Sequence, residues 1–190
     1  MTAKVILIAT ILASGGLLHS QELPASARHA LDMRFPRWQF RPIHIPNPCD
    51  IFGEPRPVFK PVSICNLNGD EISDYLVAIT KGRDSNLVEY FIALVSNGKR
   101  YDLNLLDTAR IHEGAGERMF TVIPAGNTMS IFGDDDTLVY NYSTSFGRKG
   151  ITFPTDAIEI YPECEGRWKE IEAYGFVFVK GRFRMFSAAD

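Results

Sequence analysis

Residues 65–80 read CNLNGDEISDYLVAIT, a polar segment that runs directly into an apolar one. The polar half places side-chain oxygens at alternate positions, beginning at Asn66 and ending at Asp74. The apolar half, residues 75–80, is almost uninterrupted, which is typical of a strand that is buried on both faces of a sheet. The stretch therefore predicts a tight loop that leads into a central strand.

Alternating oxygens are typical of calcium loops, because the backbone curls around one hard cation. The candidate ligands are four side chains and one main-chain carbonyl, that of Ile72; the side chains are those of Asn66, Asn68, Asp70 and Asp74. Only two of these side chains carry a formal charge, so we expect weak binding, in the ~10⁻⁴–10⁻³ M range of extracellular modules. The alternative is an Asx-rich turn, in which the same oxygens accept hydrogen bonds from the backbone of the loop and hold no ion.

The spacing excludes one class of calcium loop and resembles another. A helix–loop–helix calcium hand needs a carboxylate at its twelfth position, which here is Val77. The segment NLNGDEISDYLVAI instead resembles the D-x-N-G-D-G-x-x-D loop and apolar strand of FG-GAP (integrin-alpha-like) and VCBS repeats. The order of elements over most of the chain is also similar to that of small exported bacterial proteins with one such motif.

This resemblance implies that calcium would be held by the five loop positions Asn66, Asn68, Asp70, Ile72 and Asp74. The sequence departs from the repeat pattern in two places: Asn66 stands where the repeats have Asp, and Glu71 where they have Gly. A left-handed backbone at Glu71 would cost roughly 1–2 kcal/mol.

The first 20 residues have the layout of a secretory signal peptide. Lys4 is followed by an uncharged apolar run that ends at Leu18, and a polar segment comes next. The run is about 14 residues long, short of the roughly 20 that a membrane-spanning helix needs. We therefore predict cleavage of residues 1–20, a periplasmic or secreted protein and no membrane span after cleavage.

Export permits disulfides, and the chain has three cysteines, Cys49, Cys65 and Cys164. None lies in a C-x-x-C motif or beside a histidine cluster, which argues against zinc. Cys49 and Cys65 border a proline-rich stretch, and we predict that they form a disulfide while Cys164 stays free. Three separate buried thiols are the alternative.

The remaining pattern predicts a mainly β protein. Residues 21–57 read as a helix, at about 24–34, followed by a connector. The helix is indicated by the spacing of Leu23, Ala27, Ala30 and Leu31, and six prolines lie between residues 42 and 61. Residues 58–190 read as a β-domain of about nine short strands, one of them at 88–96. Hairpin turns are predicted at Asn97-Gly98, as a type I′ pair, and at Lys180-Gly181; Gly126-Asn127 reads as a turn and SFGRKG, at 145–150, as a loop. We predict a single compact antiparallel β-meander or small sandwich with one N-terminal helix.

Charge and motifs limit the function. The net charge is −3, so there is no basic excess for a nucleic acid. The chain has no G-x-S-x-G, no H-E-x-x-H and no phosphate loop. We therefore predict a non-catalytic exported domain that binds a protein or a glycan. The alternative is an envelope hydrolase with a site around Asp70, Asp74, His112 and Asp134. Trp38 and Trp168 are expected to pack in a core or to close a hairpin; the alternative is an exposed aromatic surface for a glycan or a partner.

Overall fold

The computed structural model describes residues 23–42, 59–83, 86–110, 118–132, 142–145, 148–162 and 174–188, and they contain one helix and twelve strands. The mainly β class and the single helix are confirmed, with more strands than the nine expected. The elements are α1 Ala25–Arg34, β1 Gln39–Phe40, β2 Val62–Cys65, β3 Asp74–Lys81, β4 Val88–Ser96, β5 Tyr101–Arg110, β6 Arg118–Ile123, β7 Thr128–Phe132, β8 Tyr142–Ser145, β9 Arg148–Thr152, β10 Ala157–Pro162, β11 Tyr174–Val179 and β12 Arg182–Ala188.

The first sheet is a meander. Its order is β1-β3-β4-β5, β2 also pairs with β3, and every pair is antiparallel. The predicted central strand at residues 75–80 is confirmed as part of β3, and β4 has the predicted bounds of 88–96. Strand pairing already begins at Gln39, which pairs with Thr80 and lies before the predicted domain boundary at residue 58.

The turn between β4 and β5 lies one residue later than the sequence predicts. Asn97 donates its N–H to the carbonyl of Arg100 (3.0 Å), so Gly98 and Lys99 occupy the centre of the turn. Gly98 alone has a positive φ there (95°). The predicted type I′ pair Asn97-Gly98 is therefore wrong; the amide of Asn97 instead donates to Asp102 Oδ2 (2.9 Å).

The second sheet is built on a long two-stranded ribbon that bends in its middle. β6 pairs with β10 and β7 pairs with β9. Ile123 faces Ala157, and five residues further on Thr128 faces Thr152, so the two ladders share one continuous register. β6 and β7 are thus two halves of one ribbon strand, and β9 and β10 are two halves of the other.

The ribbon turns a corner where residues 124–127 lie opposite residues 153–156. Gly126 donates its N–H to the carbonyl of Phe153 (2.8 Å), and Phe153 donates to the carbonyl of Asn127 (3.1 Å). Gly126 has a φ of 83°, which glycine adopts without steric cost. The sequence predicts a turn at Gly126-Asn127, and the turn is there, but it bends a ribbon instead of joining two paired strands.

The last hairpin connects the two halves of the bent ribbon. Lys180 and Gly181 both have positive φ (50° and 78°), as a type I′ pair requires, so this predicted turn is confirmed. β12 pairs with β11 and, through Ser187 and Ala188, also with β7. In the sequence SFGRKG at 145–150, predicted as a loop, Ser145 ends β8 and pairs with Arg148, which begins β9. Residues 146 and 147 lie outside the described residues.

The described residues form three layers: α1, the first sheet and the second sheet. One face of the first sheet packs on the helix through residues that include Val77 and Ile92. The other face packs on the second sheet through residues that include Phe91 and Ile158. β3 and β4 are therefore covered on both sides, which explains their nearly continuous apolar sequences.

No helix among the described residues has both the length and the apolarity to cross a membrane. The predicted signal peptide, residues 1–20, lies outside the described residues.

Candidate functional site

The loop before β3 is closed by its own side chains. Gly69 donates its N–H to Asn66 Oδ1 (2.8 Å), Asp70 to Asn68 Oδ1 (3.0 Å) and Ile72 to Asp70 Oδ1 (2.7 Å). Each bond forms an Asx turn, in which a side-chain oxygen accepts from the backbone two or three residues further on. The hydrogen bonds of an Asx-rich turn are therefore present in the loop.

The two asparagine amides supply further donors inside the loop. Asn68 Nδ2 donates to Asp70 Oδ2 (2.8 Å) and to the carbonyl of Ser96 (3.0 Å). Asn66 Nδ2 donates to the carbonyl of Asp70 (2.5 Å). Of these acceptors, Asp70 Oδ2 is a candidate calcium ligand, and it accepts an amide hydrogen of the same loop.

Asp74 is fully buried and anchors the loop to the end of β4. Its Oδ2 accepts the N–H groups of Leu67 (2.7 Å) and Asn68 (3.3 Å), and its Oδ1 accepts that of Ser96 (2.7 Å). Burial raises the pKa of the Asp74 carboxyl above its ordinary value, and the three backbone donors offset part of that rise. This carboxylate is engaged on both oxygens by the chain itself.

The left-handed residue of the loop is Gly69, with a φ of 78°. The strain expected at Glu71 is absent, because among the described residues only Arg37 and Lys180 combine a side chain with a positive φ. A side chain at position 69 would also approach Thr155 Cγ2 to 3.1 Å. Gly69 therefore allows the loop to bend and to pack closely on the ribbon corner.

Asp156 joins the loop to that corner. It donates its N–H to the carbonyl of Asn66 (3.0 Å), and its Oδ2 accepts the N–H of Asn66 (2.8 Å). Its Oδ1 accepts the N–H of Ala125 (3.0 Å), on the other strand of the corner. One carboxylate thus connects the first sheet to both strands of the bent ribbon.

The five predicted calcium ligands lie in one loop, but several of their oxygens accept hydrogen bonds from the chain. The part of the chain that the structure describes contains no group of three or more His, Cys, Asp or Glu side chains that could hold a metal ion. Asn66, Asn68 and Asp70 are partly exposed and Ile72 is exposed, whereas Asp74 lies buried behind them. Calcium binding stays a prediction for this loop.

Cys65 is buried, with 5% of its surface exposed, and its thiol is free. Burial raises the pKa of this thiol, and the charges of Asp74 and Asp156 add to the effect. Cys49 and Cys164 lie outside the described residues, so the Cys49–Cys65 disulfide also stays a prediction.

A network of charged side chains runs between the two sheets. Arg41 and Glu89, 3% and 1% exposed, form an ion pair (2.8 Å), and Arg41 also donates to the main-chain carbonyl of Arg118. The side chain of Arg118 pairs with Asp107 and donates to the hydroxyl of Tyr174 (2.9 Å), which in turn donates to Asp107. Burial and the hydrogen bond to Asp107 raise the pKa of Tyr174.

This network was missed in the sequence because its members come from five separate segments that no local pattern connects. Among the described residues, the network pairs two arginines with two carboxylates, and the fully buried pair is Arg41 with Glu89. Arg41 also lies over the ring of Phe59 (4.2 Å to the centroid). The arrangement fixes the two sheets against each other.

An open cleft of about 350 Å³ lies between α1 and β1. Trp38 is fixed in its wall: the indole Nε1 donates to Asp32 Oδ1 (2.8 Å), and the ring meets Phe40 edge-to-face (centroids 4.8 Å apart). The guanidinium of Arg28 lies 5.9 Å from the indole centroid. The cleft is lined by Arg28, Asp32, Arg37, Trp38, Gln39 and Phe40.

The remaining predicted site residues are not tested. His112, Asp134 and Trp168 lie outside the described residues. Of the alternative hydrolase site, the described members are Asp70 and Asp74, whose carboxylates accept hydrogen bonds within the loop. The hydrolase alternative therefore stays a prediction.

Comparison with models of protein families, with curated proteins and with solved structures finds no match for this chain. The resemblance to FG-GAP and VCBS repeats therefore stays a prediction that rests on the loop pattern and the order of elements.

Proposed function

We propose that this protein is an exported, non-catalytic domain that binds a saccharide in the cleft between α1 and β1. The observation that carries the proposal is the half-buried indole of Trp38 in the wall of that cleft, with charged and amide side chains around it. Trp38 and Asp32 are already joined by a hydrogen bond, so the ring has a fixed orientation before any ligand binds.

The chemistry of the lining suits a sugar. A pyranose ring has an apolar face of C–H groups, which packs on an aromatic ring, and a rim of hydroxyl groups, which need donors and acceptors. Trp38 and Phe40 supply aromatic surface, while Arg28, Asp32 and Gln39 supply polar groups. The volume lies near the lower end of the range for small-molecule sites.

A protein partner, left open by the sequence, has less support. Its interface would need a contiguous apolar patch. Among the residues that the structure describes, the exposed large apolar side chains belong to different elements of the fold: Met33 on α1, Ile64 on β2, Ile72 in the loop, Leu105 on β5 and Met185 on β12.

Export is part of the proposal and rests on the apolar leader, residues 1–20. The intact mass of the protein recovered from the envelope or the medium tests it. We expect a chain that lacks the leader, and recovery of the full 190-residue chain would contradict export with cleavage.

Fluorescence titration tests saccharide binding. The chain has two tryptophans, so a Trp168→Phe variant reports on Trp38 alone. We expect disaccharides to change the Trp38 emission in a saturable way. In Trp38→Ala, calorimetry should show no binding, because the aromatic platform is lost. Equal affinity in wild type and Trp38→Ala would overturn the proposal, and so would a wild type that binds no saccharide.

A further inference from the structure

Arg37 has a backbone conformation that suits glycine. Its φ is 63°, in the left-handed region where a Cβ is strained. The residue lies in the short turn between α1 and β1, and it is exposed. Glycine would make the same turn without strain. Residues with strained backbone conformations occur most often at active sites and ligand-binding sites. The side chain of Arg37 is therefore a candidate for a function.

The side chain of Arg37 lines the cleft, next in sequence to Trp38. The segment that forms the cleft is rich in arginine although the whole chain carries a net charge of −3. Residues 23–42 contain three exposed arginines, Arg28, Arg34 and Arg37, and one acidic residue, Asp32. The fourth arginine of that segment is buried and paired with Glu89.

We propose that Arg37 recognises an anionic group and that the saccharide bound in the cleft carries a carboxylate, as a uronic acid does. The inference rests on the proposed function, since it uses the same cleft. The planar guanidinium of Arg37 offers paired N–H donors that match the two oxygens of a carboxylate. With a sugar ring on Trp38, its carboxylate would be placed toward the neighbouring Arg37. Asp32, the acidic residue of the same cleft, accepts the indole N–H through its Oδ1.

Calorimetry with matched ligands tests the inference. The probes are digalacturonate, the neutral digalactoside, galacturonate and galactose 6-sulfate. We expect the wild type to bind digalacturonate about ten-fold tighter than the digalactoside, which corresponds to one charge-assisted hydrogen-bonded pair. Galactose 6-sulfate should bind more weakly than galacturonate, the monosaccharide of matched size.

Two variants separate binding from folding. Arg37→Gly should bind both disaccharides equally and weakly, while it melts at or above the temperature of the wild type because the strained φ is relieved. Arg34→Ala removes the same charge from the same helix end but not from the cleft, so its preference for digalacturonate should remain. A merely structural role for Arg37 would instead lower the melting temperature and weaken both ligands alike.

The outcomes are distinguishable. If Arg37→Gly keeps the preference for digalacturonate, the inference is overturned and saccharide binding stands. Tighter binding of galactose 6-sulfate than of galacturonate would overturn the assignment to a carboxylate. If the wild type binds neither disaccharide, the proposed function falls together with the inference.

Discussion

Asp156 and Asn66, 90 positions apart in the chain, are joined by two hydrogen bonds. The N–H of Asp156 reaches the Asn66 carbonyl, and the N–H of Asn66 reaches the Asp156 carboxylate. The same carboxylate also accepts the N–H of Ala125. The asparagine-rich loop is therefore a joint between the two sheets, whether or not it also binds an ion.

Asp156→Ala should destabilise the protein by about 2–3 kcal/mol, because two backbone N–H groups lose their acceptor. Urea unfolding measures this. Asp156→Asn keeps one side-chain oxygen as an acceptor and should therefore lower the free energy of unfolding by less. Asp102→Ala is a matched control, since it removes an exposed carboxylate that accepts from Asn97, and we expect a change within about 0.5 kcal/mol. Equal losses of unfolding free energy in Asp102→Ala and Asp156→Ala would contradict the role of Asp156 in connecting the two sheets.

Tyr174 should make stability depend on alkaline pH. The pKa of Tyr174 in the folded protein is raised above about 10, the ordinary tyrosine value. At a pH between these two pKa values, the native state binds more protons than the unfolded state. The contribution of this phenol to the free energy of unfolding is therefore constant below about pH 10 and decreases as the pH rises above that value. The difference in unfolding free energy between wild type and Tyr174→Phe should be constant from pH 7 to 9 and shrink toward pH 11. A difference that stays constant to pH 11 would be incompatible with the shift.

Gly175→Ala should be strongly destabilising, by about 3 kcal/mol. Gly175 pairs with Phe186 across β11 and β12, and the Phe186 ring occupies the space of a Cβ at position 175. Gly98→Ala is the control: it has open space around it and costs only its positive φ, about 1 kcal/mol. Phe186→Leu combined with Gly175→Ala should restore part of the loss, and thermal unfolding of the double-mutant cycle reports the coupling. Additive effects would refute the contact.

Calcium binding to the loop remains a proposal with a measurable consequence. At about 2 mM calcium and a Kd near 1 mM, stabilisation is only ~0.7 kcal/mol, a rise of a few degrees in Tm. Asp70→Ala should remove the calcium-dependent part and leave a folded protein. Identical melting temperatures in chelator and in excess calcium would contradict the site, and the Asx turns would then be the complete account of the loop.

Local patterns predicted the elements that local physics determines. β4 follows from its apolar run, α1 from the spacing of Leu23, Ala27 and Leu31, and the last hairpin from Lys180-Gly181. These signals depend on neighbours within a few residues of each other. The central strand after the loop was also predicted from a local signal, its continuous apolar run at residues 75–80. The run is apolar because β3 is covered by the helix on one face and by the second sheet on the other.

Contacts between distant segments were not predictable in this way. Nothing near Asp156 in the sequence points to Asn66, and nothing near Arg41 points to Glu89 or to the carbonyl of Arg118. The cleft depends on a positive φ at Arg37, a position where sequence preference favours glycine. The sequence therefore indicated Trp38 as a candidate residue, whereas the cleft around it is visible only in the structure.

The bent ribbon has a consequence for the chain as it is synthesised. The helix and the first sheet are complete once residue 110 has appeared, but the face that carries Phe91 stays uncovered until the second sheet forms. The last strand of that sheet, β12, pairs with β7 on the far side of the bend through Ser187 and Ala188, near the end of the chain. At synthesis rates of roughly 5–20 residues per second, the nascent chain displays a half-covered apolar sheet for about 4–16 s. This interval is when we expect chaperones to hold it and aggregation to compete with folding.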